Sequence, residues 1–182
     1  TSPPVPAPAP APEQKAAAPA KKAVYKAELL FTGNHPWNAI GNGGFEYFYE
    51  GSLFPHEWIG WYNYPVCAPE DVIKKSGEHS VKITGLKKKY SVLISKTSPP
   101  LEKVYGKKVT FGAWVYTSNP KKTDVVIYSN FEKPPATQPT KANEWQLVKV
   151  TTTVPEDAEV FKVGISLKPD DNPVVCYVDG AS

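Results

Sequence analysis

Three carboxylates stand among aromatic residues in one stretch. Glu46, Glu50 and Glu57 lie within Asn42 to Tyr64, which reads NGGFEYFYEGSLFPHEWIGWYNY. A pair of carboxylates across a scissile bond is what glycosidic hydrolysis requires, and this trio supplies the right residue type. Carboxylates beside aromatics are also commonly solvated or metal-bound, and spacing along a chain does not set separation in space. No glycine-rich phosphate loop, nucleophile elbow or metalloprotease motif accompanies them. Cys67 and Cys176, with His35, His56 and His79, lack the spacing of zinc ligands. The residue chemistry therefore points away from an enzyme.

The same stretch holds nine of the 22 aromatic residues, and one face of one strand cannot bury nine. Some must pack a core, and the rest are free to form a surface that stacks on something flat. Trp58, Trp61 and Tyr62 fall in a turn-rich segment and are the first candidates for that surface. Trp114 and Tyr116 alternate with Val109, Phe111, Ala113 and Val115, and Tyr128 alternates with Ile127, so these three are expected on the face away from a core.

Composition narrows the partners. All 21 basic residues are lysines. Arginine supplies the bidentate fork for phosphate and guanine, so its absence counts against nucleic-acid recognition. The lysine clusters at 74–75, 87–89, 107–108 and 121–122 sit beside turns and read as solvated strand edges. No apolar run approaches the roughly 20 residues that span a bilayer as a helix. Thr1-Ser2-Pro3 begins a chain without Met, as expected of a processed, exported protein. In that setting Cys67 and Cys176 either pair, closing a loop of roughly a hundred residues worth about 4 kcal/mol, or remain two small buried hydrophobes.

Residues 1–23 are Pro/Ala low complexity with no face to bury, and they read as an extended linker or docking segment. From Val24 to Ser182 the texture changes to short apolar or alternating runs separated by turn residues. Strands are expected over 28–32, 45–49, 80–84, 91–95, 109–117, 124–131, 145–154, 160–167 and 174–178. In VFKVGISL, Phe161, Val163, Ile165 and Leu167 alternate with Lys162, Gly164, Ser166 and Lys168. No run has helical period. Such a chain buries its strands by packing two antiparallel sheets face to face, which makes residues 24–182 an all-β sandwich of the jelly-roll type.

Several motifs then fall in a familiar order. Asn42-Gly43-Gly44-Phe45-Glu46 resembles the NxGFE opening of carbohydrate-binding modules of the family 4, 9 and 22 type. Ser76 to Ile83 is similar to their GxxSLKI strand, and Tyr105 to Val115 to their GKTYTFSAWV strand. Trp145 with Val154-Pro155-Glu156-Asp157-Ala158 resembles W…TVPEDA, and Tyr177-Val178-Asp179 the closing YVDD, although Gly180 replaces the second Asp.

The resemblance implies a non-catalytic glycan binder with poly- or oligosaccharide as partner. It implies that Trp58, Trp61, Tyr62, Trp114, Tyr116 and Tyr128 offer flat apolar faces to sugar rings. It also implies a structural calcium held by Glu46 and Asp179, which with backbone carbonyls and water would reach six to eight oxygens. The competing expectation is a structural or adhesive subunit of a surface layer or filament. There the sandwich would contact another extracellular protein through the same aromatics. Either way the chain is expected to be secreted or on a cell surface.

Overall fold

Alternation of buried and exposed side chains is what builds this molecule. The computed structural model describes residues 40–182, apart from 97, 99, 132 and 133. The strand expected at 28–32, the Pro/Ala segment and the 23/24 boundary lie outside the described residues. Among the described residues there are nine strands: β1 (Trp58–Tyr62), β2 (Val66–Glu70), β3 (Ser80–Thr84), β4 (Ser91–Ser95), β5 (Lys108–Thr117), β6 (Thr123–Ser129), β7 (Gln146–Thr153), β8 (Phe161–Leu167) and β9 (Val175–Asp179). They form two antiparallel sheets, β1-β4-β8-β6 and β2-β3-β9-β5-β7. No α-helix occurs among the described residues. The fold is the expected two-sheet jelly-roll sandwich.

Both sheets send one face into a shared core. Leu93, Val125, Ile127, Val163 and Ile165 come from the first sheet; Val81, Ile83, Phe111, Val115, Val148 and Val178 come from the second. The turn-rich segment expected around Trp58, Trp61 and Tyr62 is instead strand β1, and β2, just beyond the aromatic stretch, falls where no strand was expected. The strand expected at 45–49 does not form. Phe45 takes a left-handed conformation (φ 56°) after a turn closed by its N–H to the Asn42 carbonyl, and only a single bridge, Phe48 to Pro55, remains.

One strand departs from one-sided burial. All five residues of β4 are buried, including Val92 and Ile94, which point away from the core formed by Leu93. On that outer side β8 approaches β4 closely at Gly164, directly opposite Ile94. A Cβ there would overlap the Leu93 carbonyl oxygen and lie 2.8 Å from Ile94 Cγ2. A side chain at position 164 would push β8 off β4.

The cysteines do not pair. Cys67 and Cys176 are free, and Ile83 of β3 is the register partner of both. Two strand spacings, about 9.6 Å, separate them, beyond the roughly 6.8 Å limit for a disulfide. Burial pushes the Cys67 thiol up to about 12 and the Cys176 thiol higher still, which leaves both unreactive.

Two outcomes are expected. Gly164→Ala should lower stability by about 1–3 kcal/mol through overpacking, read as a fall in Tm by calorimetry. A reducing agent should leave Tm where it is; a drop of several degrees would mean the thiols are bridged after all.

Candidate functional site: the outer face of the four-stranded sheet

The pleat decides which of the expected aromatics face outward. Trp58, the first residue of β1, is 1% exposed and belongs to the core. Its ring packs on Phe45 at 4.9 Å between centroids, and its indole N–H donates to the Asn42 carbonyl at 3.3 Å. It is therefore a core anchor and not a sugar platform. Pairing then slips by one residue: Gly60 faces Leu93 and Tyr62 faces the next residue, Val92. Trp61 is the extra residue of this bulge. As a result Trp61 and Tyr62, although adjacent, are both well exposed, at 59% and 58%.

Register places these residues at the edge of a built surface. Tyr62, Val92, Ser166 and Asp124 form one cross-strand row over β1, β4, β8 and β6. Ile59, Ile94, Gly164 and Val126 form the row beside it, and Lys162 opposite Tyr128 begins a third. Val92 and Ile94 form an apolar floor beneath these rows, but at 4% and 1% exposure they are covered, so contact with a ligand falls to the side chains around them. Lys162 reaches back over the Trp61 ring, with Nζ 5.6 Å from its centroid.

The far side of this floor is polar and held in place. Asp124 is nearly buried, and its Oδ1 accepts from Gln138 Nε2 at 2.7 Å while pairing with Lys168 Nζ at 3.0 Å. Gln138 also donates to the Lys121 carbonyl, which fixes its amide. Tyr128 bonds to Ser166, and burial, with Asp124 and Tyr90 nearby, raises its phenol above the usual range. It thus stays a hydrogen-bond donor at neutral and mildly alkaline pH. The arrangement offers rings on one side and donors and acceptors on the other. The polar set Asp124, Gln138, Lys162 and Ser166 was missed in the sequence, although the alternation that puts Tyr128 on the outer face puts Asp124 there too.

Trp114 and Tyr116 face outward as expected, but on the other sheet. Trp114 pairs with Asp179 and Leu147, and Tyr116 with Tyr177, on the outer face of the five-stranded sheet. The six expected platform residues are thus divided among the core and two opposite faces. A cavity of about 350 Å³, lined by Val104, Val109, Phe111, Phe161 and Val163 among others, contains none of them.

The acidic candidates are already engaged. Both Glu46 oxygens accept the Glu78 N–H, at 3.1 and 3.2 Å, and Oε2 also accepts the His79 N–H at 3.0 Å. Asp179 Oδ2 accepts the Lys75 and Ser76 N–H groups at 2.9 and 2.8 Å, and Oδ1 accepts the Gly180 N–H at 2.7 Å. Together they clamp the loop 75–79. Its Gly77 has φ 64°, and a Cβ there would overlap Glu46 Oε1. Every one of these oxygens faces the positive end of an N–H, so in this arrangement the pair acts as a loop clamp. No group of three or more His, Cys, Asp or Glu able to hold a metal occurs among the described residues. Glu57 sits beside His56 at 3.4 Å, and Glu50 is exposed.

Fold and face together define a class: a jelly-roll sandwich that presents aromatic and polar side chains from the outside of a sheet. The chain belongs to the family described as "Carbohydrate binding domain" (CBM_4_9), which matches residues 38–172. Among solved structures it is similar to a family 16 carbohydrate-binding module (18% identity, TM-score 0.54, 80% of this chain and 98% of that one). It is also similar to a CBM4 module (20% identity, TM-score 0.51, 79% and 97%). A third similar structure holds the CBM22-1 and GH10 modules of Clostridium thermocellum xylanase 10B complexed with xylohexaose (12% identity, TM-score 0.53). The match covers 69% of this chain and a quarter, 25%, of the xylanase chain. No curated protein matches the sequence significantly.

Removing the Glu46 carboxylate by Glu46→Ala should cost about 1–3 kcal/mol by leaving loop N–H groups unpaired, measured by denaturant unfolding. Treating the protein with a chelator should leave its Tm unchanged, whereas a clear fall would restore calcium to these residues.

Proposed function

We propose that the chain is a non-catalytic glycan-binding module of an exported protein, and that it holds an extended oligosaccharide against the outer face of the four-stranded sheet. The observation that carries this is the bulge at Trp61. It sets two large exposed rings side by side at the β1 edge of the sheet, over the covered Val92 and Ile94 and across from the anchored Asp124, Gln138 and Tyr128. A pyranose has an apolar C–H face and a rim of hydroxyls, and this surface offers a partner to each. The rings would supply contact area and the polar row would supply orientation. Membership of a carbohydrate-binding family supports the ligand class, and the xylohexaose bound to the similar xylanase modules supports a β-linked chain as the first probe.

The non-catalytic reading is supported by where the acids are. Glu46 is spent on the loop 75–79, and Glu57 lies beside His56. Asp124, the carboxylate on the proposed face, is paired with a lysine and an amide. None of these three is left as a free acid and base across one bond.

Titration calorimetry with xylohexaose tests the reading. Trp61→Ala combined with Tyr62→Ala should weaken binding tenfold or more, about 1.4 kcal/mol, while Tm holds. Unchanged affinity in that double variant would remove the face from consideration.

A further inference from the structure

The opposite side of the sandwich carries a second set of aromatics that the first face does not use. Trp145, immediately before β7, extends the register that pairs Val115 with Gln146, so it stands across from Tyr116 on β5. Tyr116 pairs with Tyr177 on β9, and Tyr177 with Lys82 on β3. These four side chains make one row across four strands. Ring centroids are 5.8 Å apart from Trp145 to Tyr116, and again from Tyr116 to Tyr177. Lys82 Nζ lies 5.9 Å from the Tyr177 ring, and in the next row Lys75 Nζ lies 4.3 Å over Trp114.

We propose that this outer face of the five-stranded sheet is a second, separate glycan surface, and that it selects chains bearing carboxylates, such as uronic-acid polymers. Three observations support it. The aromatics are only partly buried, and the core lies on the other side of their strands, so packing the sandwich does not require rings here. Neither Lys75 nor Lys82 forms an ion pair with a carboxylate among the described residues. The acids on this face are occupied: Asp179 in the loop clamp, and Glu70 by the N–H groups of Val72 and Ile73. Both carboxylates keep their charge but are turned to backbone N–H groups, and Lys149, opposite Gly112 on this face, brings the lysines to three against two acids, so the aromatic row meets ammonium groups and no free carboxylate.

The geometry also narrows the kind of chain. Successive rings are inclined by 56° and 75°, so they form notches and not one plane. That suits a single soluble chain whose sugars turn along its length, better than the flat surface of a crystal. Strands about 4.8 Å apart repeat the contacts along such a chain, and the ammonium groups, Lys82 at the β3 end and Lys75 beside the row over Trp114 on β5, stand ready to meet its carboxylates. With the neutral-glycan face on the far side, one molecule would bridge two polysaccharides.

Calorimetry on the full chain with two probes, oligogalacturonate and xylohexaose, tests this. At low salt, Lys82→Gln and Trp145→Ala should each weaken oligogalacturonate binding at least fivefold and leave xylohexaose unaffected. Trp61→Ala should do the reverse. Raising salt from about 0.05 M to about 0.5 M should weaken only the acidic probe, because exposed charges are then screened within a few ångströms. Should Trp145→Ala also lower Tm, Lys82→Gln decides, since it keeps most of the stem and removes only the charge. The proposal falls if oligogalacturonate does not bind at low salt, if its binding survives Lys82→Gln, or if Trp61→Ala removes both ligands. Loss of xylohexaose binding alone would overturn the first face and leave the second standing.

Discussion

Successive side chains of a strand point to opposite faces, and this two-residue period governs everything that can bind here. One residue decides whether a ring packs the core or meets a ligand. Trp58 faces inward and anchors Phe45; Tyr62 faces outward beside Val92. Without the bulge, Trp61 would pair with Val92 and stand on the outer face alone, and Tyr62 would turn inward. The inserted residue is what lets two neighbouring rings share the solvent side of the sheet. It costs a ladder contact at the edge strand, where the loss is small, and it gives the first face its pair of rings.

A second constraint holds the sandwich's rim. Glu46 and Asp179 are far apart in sequence, yet both spend their oxygens on the backbone of the loop 75–79. A buried carboxylate must be solvated by something, and N–H donors do this as well as a cation would. The clamp ties the opening motif to the last strand through a loop that neither belongs to. Asn42 does similar work at the start, donating its side-chain amide to the carbonyls of Tyr47 and His56. The opening motif thus fixes the aromatic stretch by polar contacts, not by forming the strand its apolar content suggested.

Most strands were legible because short apolar or alternating runs stop at turn residues: β3 and β4 match their expected spans, and Phe161 to Leu167 bury the predicted set. The segment around Trp58 was not legible. Its glycines, prolines and acids look like a turn, and tertiary pairing with β4 turns it into a strand regardless. The platform residues were legible one by one but not as a group. Trp114 and Tyr116 face outward as their alternation requires, and so does Tyr128. Sheet assignment then puts the first two on one side of the molecule and Tyr128 on the other.

The sequence by itself determined the class of fold, the outward face of each regular strand and the family. These depend on local period, turn chemistry and motif order, all of which are written along the chain. Only the tertiary structure decided which aromatics share a surface, that Cys67 and Cys176 flank Ile83 without meeting, and that Glu46 and Asp179 grip one loop. The physical reason is the same in each case. These facts depend on which strands become neighbours and in what register, and strand neighbours are set by burying the whole core at once.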